Sequence, residues 1–236
     1  MHPTWITAVL QLPAERHAAA AAFWAAVTEM PPSSADAGGV VLLPADGSPY
    51  LQLRPGEAGL RLELAVPDPD GAVAAALRAG ASTDPGSGPR QLRSPGGLRF
   101  GYVEEQPRRR PPVRRWPDGR RAMVDQVCVD AAPGHHEAEV AFWATLTGLP
   151  PRPSGPEFVR LTPPPEQPLQ LILQRLQDGS GPTTAHLDLG TSAGSRDTEV
   201  DRHRELGAEL VRRFEDWTVL RDPAGTTYCV TDHLPR

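Results

Sequence analysis

The chain has 236 residues, 39% of them apolar, and a formal net charge of -5, which suits one or two domains with proper hydrophobic cores. No apolar run approaches the ~20 residues that span a bilayer, and the chain does not open on a charged segment followed by an apolar signal core. A cytoplasmic protein is expected.

From the N-terminus, a strand-like run over Trp5–Leu12 precedes a helical stretch at 14–30, where Phe23, Val27 and Met30 repeat at i, i+4 and i+7 and so share one face. Strand-like runs follow at 39–44, 50–54 and 60–66, with Asp46-Gly47 marking a turn between the first two. A second helix is predicted over 69–81, glycines at 86–97 serve a hairpin, and a closing strand spans 98–104. Beyond residues 107–121 the pattern starts again: strand 123–131, helix 134–149, strands 157–162, 169–175 and 184–190, helix 195–211, closing strand 226–232. Each half therefore reads β-α-β-β-β-(α)-β, an α+β unit with helices on one face of a sheet.

The halves are copies. Phe23-Trp24 returns as Phe142-Trp143, 119 residues on. Arg61-Leu62-Glu63-Leu64 is answered by His186-Leu187-Asp188-Leu189, and Ser94-Pro95-Gly96-Gly97 by Asp222-Pro223-Ala224-Gly225. The matches are collinear, with loop insertions in the second copy. The predicted domains are residues 1–106 and 122–236, joined by an Arg/Pro-rich linker at 107–121.

Alternation assigns faces to the strands. Leu62 and Leu64 point one way and Arg61 and Glu63 the other; Leu187 and Leu189 likewise oppose His186 and Asp188. The leucine face must cover the helices, so the polar face, with the same parity in both copies, is the candidate ligand surface. Cys128 shares parity with Gln126 and Cys229 with Thr227. These two cysteines fit neither a disulfide framework nor a zinc ribbon, and are expected to pack as small residues. Trp5 and Trp217 are candidates for aromatic pocket walls or for core packing. The remaining histidines, His2, His17, His135, His136, His203 and His233, are expected at the surface, as is Glu139.

All 24 positive charges are arginine; lysine and asparagine are absent. That bias points to a GC-rich bacterial genome and removes Schiff-base chemistry on a side chain. The linker holds seven arginines, four prolines and Trp116. An extended, solvated connector is expected there, and the acidic remainder argues against a nucleic-acid surface. No Ser-His-Asp order with a nucleophile turn, phosphate loop or dinucleotide fingerprint is visible.

The tandem units, the helix carrying Phe-Trp, the His-Leu-Asp-Leu strand at 186–189 and the closing Asp-Pro-x-Gly turn at 222–225 resemble the glyoxalase/bleomycin-resistance/extradiol-dioxygenase, or vicinal oxygen chelate, superfamily. The resemblance implies two tandem βαβββ modules with curled mixed sheets enclosing a cavity and helices on the outer face. In its metal-dependent members a His or Gln on the first strand, a His on a middle strand and a Glu on the last strand hold a divalent ion that binds two substrate oxygens. By that resemblance the positions fall on Gln126, His186 and Thr227 in the second copy, and on Thr7, Arg61 and Arg99 in the first. Two arginines would repel a cation, and Thr227 supplies no anionic oxygen unless Asp188 or Asp125 stands in.

The expectation is accordingly a protein that binds an organic small molecule, lined by Arg61, Glu63, Arg99, Gln126, His186, Asp188 and Thr227, with no cofactor or catalytic metal. The alternative is a metal-dependent lyase, isomerase or dioxygenase with Gln126 and His186 as ligands of a divalent metal. A monomer or homodimer is expected, without nucleic-acid or membrane partners.

Overall fold

The computed structural model describes residues 2–233 and 235. The first copy comprises β1 (Trp5–Leu12), α1 (Ala14–Thr28), β2 (Pro32–Ser34), β3 (Val40–Leu42), β4 (Leu51–Pro55), β5 (Gly59–Val66), α2 (Pro69–Arg78), β6 (Ser82–Thr83), β7 (Gln91–Arg93) and β8 (Arg99–Glu104). A two-residue strand, β9 (Arg114–Arg115), interrupts the linker. The second copy comprises β10 (Arg121–Ala131), α3 (His136–Thr147), β11 (Pro151–Pro153), β12 (Phe158–Leu161), β13 (Gln170–Arg175), β14 (Thr184–Thr191), α4 (Arg196–Glu205), β15 (Glu209–Arg213), β16 (Trp217–Arg221) and β17 (Thr227–Thr231). The fold is α+β, with two mixed sheets in the orders β2-β3-β4-β1-β5-β8-β7-β6 and β11-β12-β13-β10-β14-β17-β16-β15. β5 runs parallel to β8 and β14 to β17, while the outer hairpins are antiparallel.

Two predicted helices end early. α2 stops at Arg78 and α4 at Glu205, because Gly80 and Gly207 take positive φ of 106° and 105° and reverse the chain. The residues after Gly207, expected to continue the helix to 211, instead form the edge strand β15. No described helix is long and apolar enough to cross a membrane.

Compactness does not follow the copies. One unit gathers Met1–Val9, Leu60–Arg108 and Val127–Ala185; the other gathers Leu10–Gly59, Arg109–Gln126 and His186–Arg236. In the second unit α1 packs on β4 and α4 on β17; in the first, α2 packs on β8 and α3 on β13.

The repeated Phe-Trp pair explains the exchange. In the second unit Trp24, from the first copy, donates its indole N–H to Asp222 Oδ2 at 2.9 Å, in the closing turn of the second copy. Phe23 and Trp24 lie against Tyr228 with ring centroids 5.9 and 5.0 Å away. In the first unit Trp143 donates to Glu139 Oε2 at 2.6 Å, and Glu139 Oε1 accepts from Ser94 Oγ and Gly96 N, both at 2.6 Å. Here Phe142 and Trp143 lie against Phe100, at 5.7 and 5.3 Å. Each pair thus clamps the other copy's turn. The carboxylate has changed place: the turn supplies it as Asp222 opposite Ala20, whereas the helix supplies it as Glu139 opposite Ser94. Glu139 is therefore fully buried rather than at the surface, held by three donors that offset the cost of burying its charge.

Two histidines also depart from the expected surface positions. His17 is 9% exposed and His203 is 0% exposed. His203 Nδ1 lies 2.9 Å from the Tyr228 hydroxyl, and Nε2 lies 3.3 Å from Glu199 Oε1. Arg120 Nη1 reaches Glu199 Oε2 at 3.0 Å, and Arg202 pairs with the same carboxylate while donating to the carbonyls of Ala26 and Val27 in the last turn of α1. Those carbonyls lack intrahelical partners, so the guanidinium closes the helix end.

Candidate functional site in the second copy

β14 is built by alternation. Leu187 and Leu189, each 2% exposed, turn toward the core, which places His186 and Asp188 together on the opposite face. His186 Nε2 stands 3.2 Å from Asp188 Oδ1. The parallel partner β17 brings Cys229 into register with Asp188, and Cys229 Sγ lies 3.4 Å from His186 Nε2. One imidazole nitrogen thus meets a carboxylate and a thiol. Asp188 and Cys229 are each 6% exposed, while the His186 side chain is 15% exposed.

Gln126 lies on β10, next to β14 in the sheet. It is 2% exposed and its Nε2 is buried with no hydrogen-bond partner; a bound ligand or water is the ordinary explanation of such a group. Thr227 begins β17 on the same face as Cys229 but is exposed. Asp125 points to the other face of β10: it is 0% exposed, its Oδ2 lies 3.4 Å from His233 Nε2, and burial, then Asp125's charge, raises the pKa of Tyr50. Alternation therefore denies it the stand-in role. Cys128 belongs to the first unit, where its thiol lies 3.8 Å from Asp130 Oδ1 and 3.9 Å from Gln174 Oε1.

The first-copy residues form a separate cluster in the first unit. Arg61 Nη2 pairs with Glu63 at 2.7 Å and Nη1 donates to Gln91 Oε1 at 2.5 Å. Gln91 comes from β7, opposite Gly101, and a Cβ on Gly101 would stand 2.5 Å from the Gln91 amide nitrogen. Arg99 Nε is 3.9 Å from Asp84, which also binds Arg93 at 2.7 Å. These arginines are balanced by neighbouring carboxylates. Gln91 and Asp84 were not singled out by sequence, since each acts only through a strand pairing that brings it to its arginine.

A cavity of about 260 Å³ in the second unit is lined by Met30, Tyr50, Pro111, Trp116, Met123 and Leu189, among others. Leu189 places it on the leucine side of β14, away from His186. Linker residues form part of its wall, and though largely solvent-facing the linker is tied down: Arg114 and Arg202 guanidinium carbons sit 4.6 and 4.5 Å from the Trp116 ring centroid, Arg114 pairs with Glu29, and Arg109 pairs with Asp46. Trp5 is 2% exposed and so a core residue, while Trp217 stacks on Phe214 at 4.7 Å.

Paired tandem modules with a polar residue cluster on the inner strands define the vicinal oxygen chelate superfamily. Within it the chain belongs to the glyoxalase-like domain family, whose sequence model matches residues 7–103 and again 126–231. Among solved structures it is similar to the Mn(II)-bound glyoxalase from Novosphingobium aromaticivorans, at 17% identity and a TM-score of 0.67, covering 98% of this chain and 82% of that one. It is also similar to 2,2',3-trihydroxybiphenyl 1,2-dioxygenase from Sphingomonas wittichii, at 16% identity and 0.58, covering 95% and 88%. An extradiol ring-cleaving dioxygenase from B. fuscum matches at 14% identity and 0.63, covering 95% and 70%. No curated protein sequence matches the chain.

A divalent metal is a recurrent cofactor of this superfamily, and the residues answer in two ways. At the superfamily's own positions the set is Gln126, His186 and the exposed Thr227, which lacks the carboxylate. His186 and Asp188, in contrast, meet the spacing required of ligands to one ion.

Proposed function

We propose that the protein binds an organic small molecule on the polar face of the second unit, around His186, Asp188, Gln126 and Cys229. One contrast between the copies carries this proposal. At these positions the first copy sets guanidinium–carboxylate pairs, Arg61–Glu63 with Gln91 and Arg93–Asp84–Arg99, although Arg61 Nε is itself buried without a hydrogen bond, whereas the second presents an uncharged Gln126 amide whose Nε2 is buried and unpartnered beside a partly open His186. Buried donors without partners are best satisfied by a ligand that accepts from them. The ligand chemistry suited to an imidazole and an amide N–H is an oxygen-bearing molecule such as a carboxylate or phenol. Because the arginines are internally balanced, they no longer argue for a strongly anionic ligand.

Binding is favoured over ring cleavage or enolate chemistry because Thr227 stands where a carboxylate would complete a hard-metal site. The second proposal, a metal-dependent lyase, isomerase or dioxygenase, is favoured by one observation, the 3.2 Å approach of His186 to Asp188. In either case the residues of this chain orient the ligand: the His186 imidazole donates or accepts a proton at Nε2, and the Gln126 amide fixes an oxygen. A divalent ion there would polarise that oxygen.

The test is a thermal-shift and calorimetric screen against organic acids and phenols. A ligand at a hundredfold excess over its Kd should add about 2.7 kcal/mol of stability, and His186→Ala should abolish the gain. A panel without any shift, or a shift that survives His186→Ala, would count against this site.

A further inference from the structure

We propose that the cavity on the leucine side of β14 is a second ligand site, for a small aromatic carboxylate whose ring fills the apolar chamber and whose carboxylate meets Arg115 at the rim. Every lining residue belongs to the second unit. The site lies on the opposite face of β14 from His186, so it stands or fails independently of the reading above.

Size and walls set the class of ligand. At about 260 Å³ the chamber exceeds the ~150 Å³ that holds a benzene ring in an apolar interior, so it suits one or two fused rings. Met30 and Met123 offer thioethers, which adapt to shape and favour aromatic edges, and Trp116 offers an aromatic wall. A charged group would lose its hydration among such walls. Any charge on the ligand therefore belongs at the rim.

The charges at the rim fix its sign. Among the lining residues Arg114 pairs with Glu29, and Asp46 pairs with Arg109. Arg115 also lines the cavity and is exposed, but it has no carboxylate partner among the described residues. Directly across the β9–β10 pair it faces Arg121, which has none either. Like charges at facing positions oppose strand pairing, and an anion beside them relieves the repulsion. A carboxylate suits a guanidinium because both its oxygens accept parallel N–H bonds.

The first unit fills the equivalent space with its own chain. Trp5 stands at the position of Val124, and Gln167 at that of Pro49. Gln167 Oε1 accepts from Ile6 N at 3.0 Å, and His2 Nδ1 lies 3.3 Å from the carbonyl of Leu146, the counterpart of Val27. The Trp5 ring is buried, and the Arg108 guanidinium carbon sits 5.7 Å from its centroid. In the second unit a valine replaces that indole, and linker residues stand where residues 2–5 pack. An aromatic ring beside Arg115 restores the pairing that Trp5 and Arg108 make.

Calorimetry with 2-naphthoate at neutral pH should show one saturable equivalent, and its neutral counterpart 2-naphthalenemethanol should bind about tenfold more weakly. Arg115→Gln, at an exposed position, should weaken 2-naphthoate by about the same factor and leave 2-naphthalenemethanol unchanged. Val124→Trp, which installs the indole of the first copy, should abolish binding of both probes. Should Val124→Trp fail to fold, Trp116→Ala, which removes one wall, reads the same site through weakened binding of both. No saturable uptake, undiminished 2-naphthoate affinity in Arg115→Gln, or binding that is lost in His186→Ala but kept in Val124→Trp or Trp116→Ala would overturn the proposal.

Discussion

Glu199, His203 and Tyr228 give the second unit a buried polar network where the first copy has Ala72, Ala76 and Phe100 at the matching positions. Burial alone would raise the Glu199 carboxyl, but hydrogen bonds from His203 and Arg202 outweigh it and bring the pKa from 4.5 down to about 2. Burial lowers the pKa of His203, against the opposing pull of Glu199. Both folded values lie below the unfolded ones, so both groups contribute stability above their unfolded pKa and lose it as pH falls. Stability should therefore decline on acidification below about pH 6.5, from His203, and further from about 4.5 toward 2, from Glu199. Urea denaturation from pH 7 to 3 measures the decline, and Glu199→Gln should flatten its lower part while costing about 3 kcal/mol at neutral pH by breaking the buried pair. At the same scale, Trp24→Phe and Trp143→Phe should each cost about 1.5–3 kcal/mol, because each removes a donor from a buried carboxylate. Neither carboxylate contact was legible in sequence. The Phe-Trp repeat was visible, but its partners lie 198 residues away in one case and on the same helix in the other.

At the scale of elements, apolar periodicity located α1 and α3, since each must bury one face, and apolar runs between turn residues located the principal strands; α2 and α4 were expected only from their place in the repeated order. It failed on short edge strands. β2, β6 and β11 have no buried side chain, so no hydrophobic pattern marks them, and main-chain pairing alone defines them. The linker is solvent-facing, with only Pro111 of residues 107–121 buried, but composition did not show that Arg109, Arg114 and Arg120 find acids or that the Arg114 and Arg202 guanidinium groups lie against Trp116. Despite seven arginines, it should resist trypsin. Trp116→Ala, losing cation–π contacts worth about 1–2 kcal/mol, should speed cleavage there about tenfold, measured by mapping early fragments. Cleavage of the wild-type linker as fast as of a free peptide would contradict the observed packing.

At the scale of the whole molecule, each compact unit takes a segment from both copies. A fragment carrying only 1–121 or only 122–236 lacks half of each core. Each alone should therefore show a largely unfolded circular dichroism spectrum, and the two mixed should regain structure. A cooperatively folded single copy would show that the exchange is dispensable. Carrying both copies in one chain, the protein supplies internally what a second subunit would otherwise add; we propose a monomer, for which light scattering should give 25.4 kDa.

The order of residues determined the duplication, the α+β units and the face of each strand, because periodicity and repeated turns are local properties that survive without coordinates. It also placed His186, Asp188 and Cys229 on polar-face parities. What tertiary structure alone decided was convergence: that the parallel pairing of β14 with β17 sets a thiol beside an imidazole, and that Asp84 and Gln91 balance the arginines of the other copy. Such meetings depend on strand register and chain exchange between residues far apart in sequence, which no local pattern encodes.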